Sequence, residues 1–484
     1  MGGSVGPEDA GGLGAVKFSR LPRRGVMLGL SGAQLGCVAA AALVAVAALY
    51  SGGAGALVWV SPAWGGLAGF ALARVGGRKL VEWAPIAWRW RRRVRRGQTV
   101  YLRRISKPRP AGTLALPGSA AALRQLEDPA TGAVMVHDPH AATLTAVIPV
   151  DHPGFTLLDP LDQERRVRAW SRVLAGCCRS GRIARLQVLE RTLPDSGSAL
   201  AGWWARRGTD DGSWTARVYR ELIERAGPAS ETHAVTVSAA LDLKAAARAV
   251  KAAGGGMRGA SQVLAQEVAS LTAALRAADL NPGPPLQAEQ LAAMLRSAYD
   301  PAAAASPTTG ADLGAAGPVA VRETWSGLRS DSGWHAVLWV SEWPRAQVDP
   351  GFLAPLLLSS GIRRSFSLTV EPLRADQAAR DLRRKKTEHI ADQAQRAKIG
   401  QIEDAAQQAE YRDVLQQEAD LAEGHGVARY TGLTAVTADT PERLQAALAA
   451  VEQAAVQASC ETRLLAGQQA QAFAAAALPL ARPA

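Results

Sequence analysis

Two apolar segments near the start of the chain constrain its fold more than any other feature. Residues 26–50 and residues 55–73 contain no Asp, Glu, Lys, Arg or His. At about 1.5 Å of rise per residue, the first segment is long enough to cross about 30 Å of hydrocarbon, and the second is just long enough. The uncharged residues 51–54 (SGGA) connect them. The sequence therefore predicts a transmembrane helical hairpin over residues 26–73.

Basic side chains flank both outer sides of the predicted hairpin. Lys17 and Arg20 precede it with two further arginines, and a dense run of arginines follows from Arg74. Cytoplasmic flanks of membrane helices carry an excess of Lys and Arg. We therefore expect localisation in the inner (cytoplasmic) membrane, with the tail over residues 1–25 and the large body in the cytosol. A cleaved signal peptide is disfavoured, because it would lack the second apolar segment.

The positive charge of the chain is concentrated before the body. The formal net charge is +12, and residues 1–109 hold 17 of the 55 basic and 3 of the 43 acidic side chains. The rest of the chain, with 38 basic and 40 acidic side chains, is nearly neutral. This partition favours an anionic lipid surface as the partner of the basic segment. A membrane-anchored nucleic-acid-binding protein that uses residues 74–109 remains an alternative.

Residues 74–111 form a basic juxtamembrane segment in which tryptophans lie between arginines. Apolar side chains recur at spacings of three and four from Leu80 to Val94, which predicts an interfacial amphipathic helix over residues 77–96. Indole rings favour the headgroup level of a bilayer. The side chains expected at the membrane surface are Arg74, Arg78, Lys79, Trp83, Trp88, Trp90, Arg91, Arg92, Arg93, Arg95 and Arg96.

After residue 112 the pattern alternates between strands and helices. We expect a first α+β domain over residues 112–301, an Ala/Pro-rich linker over residues 302–316 and a second α+β domain over residues 317–484. Apolar runs predict strands at residues 144–150, 184–192, 232–242, 319–325, 335–341, 365–370, 427–437 and 461–466. Helical patterns lie at residues 161–178, 261–278, 287–299, 441–458 and 468–477. The predicted fold class is a transmembrane helical hairpin followed by an α+β cytosolic body with ferredoxin-like units.

Residues 374–423 differ in kind from the rest of the second domain. They are dense in charged residues, Ala and Gln, contain no Pro, and have few apolar positions. This composition predicts a long charged helical arm made of two solvated helices. An ordinary charged surface helix is the alternative.

Motifs for nucleotide or metal chemistry are absent from the sequence. The chain contains no Gly-Lys dipeptide and therefore no P-loop, whose lysine must reach the β- and γ-phosphates. Cys37, Cys177, Cys178 and Cys460 lack the spacing of a zinc site, and the seven histidines lack a metal-binding pattern. We expect no cofactor, no metal and no catalytic residue.

Residues 331–335 place acid, nucleophile and base types close together. Asp331, Ser332 and His335 lie within five positions, but no Gly-x-Ser-x-Gly motif surrounds the serine. A triad is recognised by its geometry and not by proximity along the chain. A turn between strands is therefore favoured here. A membrane-tethered hydrolase that uses Ser332 and His335 is retained as an alternative function.

Several short motifs occur in order through the second half of the chain. They comprise Tyr299, Asp300 and Pro301, then Trp325, Asp331 and Ser332, then Pro344 and Arg345, and finally Gln469, Phe473 and Pro479. In order and spacing, they resemble an actinobacterial family of conjugation and type IV secretion membrane proteins. The resemblance covers the whole chain and implies a structural role for these residues.

In that family, the hairpin is similar to a small two-span inner-membrane subunit of conjugative secretion systems. The body is similar to the N-terminal, non-motor domain of the large assembly ATPase. The last of these motifs, which runs from Gln469 through Phe473 to Leu478-Pro479-Leu480, lies where the resemblance implies that the nucleotide-binding domain would begin. The resemblance implies a non-catalytic inner-membrane scaffold of a DNA- or protein-transfer apparatus. Its implied partners are a separately encoded P-loop ATPase and other membrane subunits, in an oligomeric assembly.

Overall fold

The computed structural model describes residues 31–75, 78–104, 106, 110, 112–152, 154–194, 198–226, 231–305, 313–344, 348–398, 405–422 and 426–483. Residues 31–99 of this set belong to one compact unit, and residues 100–483 belong to a second. The predicted tail over residues 1–25 lies outside the described residues, as do the first residues of the predicted hairpin.

The first unit begins with two apolar helices. Helix α1 covers Gly32–Trp59 and helix α2 covers Ser61–Leu72, and α1 loses helical backbone geometry at Gly52 and Gly53. The Gln34 side-chain Nε2 donates to the Ala71 carbonyl at 2.6 Å, so the chain reverses and returns to its start. The break falls inside the predicted connection at residues 51–54.

Among the described residues, α1 is the helix long and apolar enough to cross a membrane. The second predicted span, residues 55–73, is not one continuous helix. It is divided at Val60, because α2 has Pro62 at its beginning, where proline can start a helix but cannot continue one. The twelve residues of α2 are too few to cross the hydrocarbon by themselves.

A short hairpin and a third helix complete this unit. Strands β1 (Arg74–Val75) and β2 (Arg78–Lys79) pair in antiparallel fashion. Helix α3 then covers Leu80–Arg95, close to the interfacial helix predicted over residues 77–96. Glu82 lies in its first turn and three arginines lie in its last, which complements the helix dipole.

The second unit is built on one antiparallel sheet, in which thirteen of the described strands take part. Its strands are β3 (Val100–Leu102), β4 (Arg124–Glu127), β5 (Val134–Asp138), β6 (Thr143–Asp151), β7 (Ile183–Pro194), β8 (Glu231–Asp242), β9 (Asn281–Pro282), β10 (Ala320–Glu323), β11 (Leu328–Ser330), β12 (Gly333–Glu342), β13 (Arg364–Pro372), β14 (Ala428–Ala438) and β15 (Glu461–Leu464). The order across the sheet is β3-β10-β11-β12-β14-β13-β7-β8-β6-β5-β4, with β15 also beside β12 and β9 beside β6.

The α+β body expected from the sequence is therefore present, and the two predicted halves share this sheet. Strand β7, from the first half, pairs with β13, from the second, over Leu186–Thr192 and Arg364–Val370. Residues 306–312 of the predicted linker lie outside the described residues. Ferredoxin-like units within the body stay a prediction.

Helices pack on both faces of the sheet. The described helices of the second unit are α4 (Pro160–Ser180), α5 (Ser198–Arg207), α6 (Trp214–Ala226), α7 (Ala247–Ala252), α8 (Gly256–Ala277), α9 (Ala288–Tyr299), α10 (Ala354–Leu357), α11 (Ala375–Lys398), α12 (Ala405–Ala422), α13 (Pro441–Gln457) and α14 (Gln469–Ala476). On one face, α4 and α8 pack on β6–β8 around Leu186, while α13 packs on β12–β14 around Leu338. On the other face, α9 and α14 pack around Val337.

Helices α11 and α12 occupy the region of the predicted charged arm. The Lys386 ammonium binds the Glu418 carboxylate at 2.9 Å, and the His389 ring stacks on Tyr411 with centroids 4.4 Å apart. These contacts join the two helices side by side. Residues 399–404 between them lie outside the described residues. That the pair projects from the body as an arm stays a prediction.

Candidate functional site

Five of the eleven motif residues lie around α14 and the segment that follows it, residues 478–482. We call these two pieces of chain, together with the side chains that bind them, the C-terminal junction. Gln469 at the start of α14 is fully buried, and its Oε1 accepts the Val337 backbone N–H at 2.8 Å. Its Nε2 donates to the Leu465 carbonyl at 3.0 Å. One side chain therefore fastens α14 to β12.

Three buried rings form the centre of the C-terminal junction. The Phe473 ring lies 5.1 Å from the Tyr299 ring and 4.5 Å from the His335 ring, between centroids. All three side chains are at most 1% exposed. Tilted aromatic pairs of this kind add stabilisation beyond the area that they bury. Tyr299 and Phe473, which lie far apart in the sequence, are thus joined in one packing cluster.

A chain of hydrogen bonds fixes His335 in this cluster. The Ser330 hydroxyl donates to the Tyr299 carbonyl at 2.6 Å, so it accepts from His335 Nε2 at 2.7 Å. His335 Nδ1 then accepts from the Thr437 hydroxyl at 2.9 Å. Burial, reinforced by the charge of Arg363, lowers the pKa of His335 to about 3. The imidazole is therefore neutral at physiological pH, and both of its nitrogens are occupied.

Ser332 lies in the turn between β11 and β12, and it does not meet His335. Its hydroxyl donates to the Asp300 carboxylate and accepts the Ala302 backbone N–H at 3.1 Å. Because each group is already bonded elsewhere, Ser332 and His335 do not form a nucleophile–base pair in this structure. The geometry thus gives no support to the hydrolase alternative.

Asp331 holds the same turn from the other side. It has a positive φ of 41°, and its Oδ1 accepts the backbone N–H groups of Val319 and Ala320, both at 2.9 Å. Arg296 bridges Asp331 at 3.0 Å and Asp300 at 2.6 Å. Gly333, two residues after Asp331, has no room for a side chain, because a Cβ there would lie 2.7 Å from the Pro301 ring. The Tyr299-Asp300-Pro301 and Asp331-Ser332 motifs therefore brace one turn.

Sequence reasoning missed the polar residues that hold the chain after α14. Gln187 Nε2 donates to the carbonyls of Ala475 at 3.0 Å and Leu478 at 3.1 Å, and its Oε1 accepts the Ala481 N–H at 2.7 Å. The Ser238 hydroxyl donates to the Pro479 carbonyl at 2.9 Å. A polar side chain inside the apolar runs of β7 and β8 was the available signal.

The remaining motif residues are Trp325, Pro344 and Arg345. The Trp325 carbonyl accepts the N–H of Gly467 at 2.7 Å, just before α14. Pro344 is buried after the end of β12. Arg345 lies outside the described residues.

The predicted membrane-surface residues of the first unit lie on β1, β2, α3 and the turn after it. Arginines stack on indole rings there, with Arg92 5.5 Å from the centre of Trp88, and further pairs formed by Arg78 with Trp83 and Arg93 with Trp90. Trp88 is 62% exposed. The exposed cations of the set are Arg74, Arg91, Arg92, Arg95 and Arg96.

Lys79 is less open than this set, because its ammonium donates to the Gln34 side-chain oxygen. An exposed indole beside exposed guanidiniums suits the headgroup level of an anionic bilayer. Contact between these residues and lipid stays a prediction.

Cysteines and metal-ligating groups make no cluster in the described part of the chain. Groups of three or more His, Cys, Asp or Glu side chains that could hold a metal ion are not found among those residues. Cys177 and Cys178 are buried, and burial raises the pKa of Cys177 to about 11. These thiols pack as small apolar side chains. The expected absence of metal and cofactor stays a prediction.

One stretch of the chain matches a known protein family. The sequence model of a family described as "Putative type VII ESX secretion system translocon, EccE" matches residues 229–340. This stretch runs from β8 into β12 and includes Tyr299, the Asp331 turn and His335. No curated protein matches the chain. The chain is therefore similar over this stretch to a secretion-system component, and the system named is type VII rather than the type IV or conjugation system that the motifs favoured.

Proposed function

We propose that the chain is a membrane-anchored, non-catalytic scaffold subunit of a type VII-like secretion translocon. The observation that carries this proposal is the match of residues 229–340 to the EccE family. Helix α1, which is long and apolar enough to cross a membrane, supports the membrane anchor. The basic flanks support a topology in which both ends of the hairpin face the cytosol.

The non-catalytic role is part of this proposal, and the bonding of Ser332 and His335 supports it. The only nucleophile and base that the sequence offered as a pair, Ser332 and His335, are bonded to other groups. His335 is fully buried, so no substrate reaches it without local unfolding. The motif residues around it bind backbone groups and pack rings. We assign them to holding the scaffold together.

The proposed partners are suggested by the absence of a P-loop from the sequence and by the proposed location in a membrane. Transport across a membrane needs energy, and this sequence contains no P-loop. We propose that the body docks a separately encoded P-loop ATPase and that the hairpin contacts other membrane subunits of an oligomeric assembly. Exposed cations in β1 and on α3 would bind the anionic lipid surface.

A complementation experiment tests the proposal. The gene is deleted in its own organism, and secretion by the associated system is measured after return of the wild-type chain, Ser332→Ala or Phe473→Ala. We expect full rescue by Ser332→Ala, because the hydroxyl serves only a turn, and loss of rescue by Phe473→Ala together with loss of the protein. Failed rescue by Ser332→Ala at a normal protein level would contradict the non-catalytic assignment.

A further inference from the structure

Helices α5 and α6 form an insertion that the sheet does not require. Strand β7 ends at Pro194, and β8 begins at Glu231, which pairs directly with Pro194. Two adjacent antiparallel strands can be joined by a turn of about two residues. The chain instead carries α5 (Ser198–Arg207) and α6 (Trp214–Ala226) between them. We call these two helices the α5–α6 insertion.

Helix α6 has an apolar stripe on each of two sides. On the inner side, Ala216 and Ile223 are buried, and the Tyr219 ring packs on Trp204 of α5 with centroids 4.8 Å apart. On the outer side, Trp214, Val218 and Leu222 follow each other at spacings of four. They are 70%, 41% and 57% exposed. The inner stripe packs within the protein, whereas the outer stripe leaves a large part of its apolar surface exposed.

The charges left open beside the outer stripe are mostly positive. Arg206 and Arg207 end α5, Arg217 lies on α6, and all three are exposed without an acidic partner among the described residues. The carboxylates of Asp210 and Glu221 already bind Arg220 at 2.7 Å and Arg225 at 2.5 Å.

Two further acidic side chains of the insertion lie outside these ion pairs. Asp211 accepts the Ser213 N–H at 2.9 Å at the entry to α6. Glu224 is exposed and lies seven residues after Arg217, so these two side chains share a side of α6 that neighbours the outer stripe. The open charges of the insertion are therefore three guanidiniums and two carboxylates among the described residues, which is a net positive set.

We propose that the α5–α6 insertion docks on the surface of an anionic bilayer. Trp203, which is 44% exposed on α5, and the outer stripe of α6 would enter the boundary between headgroups and acyl chains. Arg206, Arg207 and Arg217 would bind lipid phosphates. The combination of exposed indoles and unpaired guanidiniums favours lipid over an apolar groove in a protein. The proposal goes beyond the scaffold function and rests on it only for attachment to a membrane.

The test places an environment-sensitive fluorophore on the full-length chain in lipid nanodiscs. Val218→Cys carries the label on the outer stripe, and Glu224→Cys is the matched control on another side of the same helix. Leu43→Cys, which is 71% exposed on α1, reports separately whether the hairpin has inserted. Cys37 is replaced by Ala, and the three other cysteines are buried. The discs contain either phosphatidylserine with phosphatidylcholine or phosphatidylcholine alone.

With phosphatidylserine present, we expect the label at position 218 to shift to shorter wavelength and to be quenched by spin-labelled lipid. The label at position 224 should stay in water. Phosphatidylcholine alone, added salt, or the combined change Arg206→Gln, Arg207→Gln and Arg217→Gln should each reduce the quenching at 218 several-fold.

Two outcomes would overturn the proposal. One is a label at 218 that stays in water while the label at 43 shows an inserted hairpin. The other is protection at 218 that appears only when partner subunits are added, which would assign the stripe to a protein. A label at 43 that also stays in water would instead count against the membrane anchor of the proposed function.

Discussion

The C-terminal junction and the α5–α6 insertion both combine aromatic rings with polar or charged groups, and they use them in opposite ways. In the junction, Tyr299 and Phe473 are buried, and Gln187 and Gln469 are bonded to backbone groups. In the insertion, Trp214 is 70% exposed and Arg217 has no acidic partner among the described residues. Buried rings and fully hydrogen-bonded amides stabilise the fold, whereas an exposed indole and an unpaired guanidinium can bind another molecule or a lipid surface.

The largest effect is expected at the centre of the C-terminal junction. Phe473→Ala removes a buried ring that contacts Tyr299 and His335, and should lower the free energy of unfolding by about 3–5 kcal/mol. Urea unfolding of the detergent-solubilised full chain measures it. The matched control is Tyr299→Phe, because the Tyr299 hydroxyl finds no hydrogen-bond partner among the described residues. A small loss for Phe473→Ala would mean that α14 is not part of the core.

A smaller loss in the free energy of unfolding is expected when Gln187, which binds the chain after α14, is replaced. Gln187→Leu keeps the side-chain size but leaves the Leu478 carbonyl and the Ala481 N–H without their bonds to Gln187. Removing one partner of buried hydrogen bonds costs about 1–3 kcal/mol, and we expect a total loss in that range because the freed carbonyl and N–H can rebond to nearby groups. Gln163→Leu, which removes a bond to the Leu158 carbonyl at a partly buried position, should cost less. Equal losses for the two variants, again by urea unfolding, would contradict the special role of Gln187.

The buried imidazole predicts a dependence of stability on pH. The pKa of His335 is about 3 in the folded chain and about 6.5 when unfolded. The unfolded state therefore binds the extra proton between these values, and stability should be lost as the pH falls from 6.5 towards 3. The slope attributable to this group is at most about 1.4 kcal/mol per pH unit. His335→Phe should reduce the measured slope in this window, and an unchanged slope would contradict the assignment.

The smallest effect on stability is expected in the α5–α6 insertion. Val218→Ser changes an outward side chain that packs on no described core, so the free energy of unfolding should change by less than about 0.5 kcal/mol. Ile223→Ser, on the inner side of the same helix, is the matched control and should cost more, because Ile223 is 6% exposed. Thermal unfolding measures both. A large loss for Val218→Ser would place the outer stripe within the fold and remove the contrast with the junction.

The local sequence pattern was sufficient to predict the bounds of several individual helices and strands. The helix predicted over residues 287–299 is observed as Ala288–Tyr299, and the strand predicted over residues 232–242 is Glu231–Asp242. Helix α3, predicted over residues 77–96, is Leu80–Arg95. These segments have strong periodicity, which depends only on neighbouring residues.

The way in which the strands pair and the helices pack could not be predicted from local sequence pattern. The pairing of β7 with β13 brings Val188 opposite Leu368, and no local pattern specifies a partner so far away in sequence. The contacts of Gln187 with the chain after α14 depend on that pairing. The second predicted span was divided because Pro62 begins a new helix, a local signal that hydropathy outweighed. The α5–α6 insertion was not recognised, although three tryptophans lie in it.

The most direct test of the proposed function is to purify the full-length chain from its native membranes in mild detergent and identify what accompanies it. The proposal predicts recovery with membrane subunits of a type VII-like secretion system and with a P-loop ATPase. The Phe473→Ala variant, if it is still made, should lose them. Recovery of the wild-type chain as a monomer without partners, or with a conjugative DNA-transfer complex, would contradict the proposal.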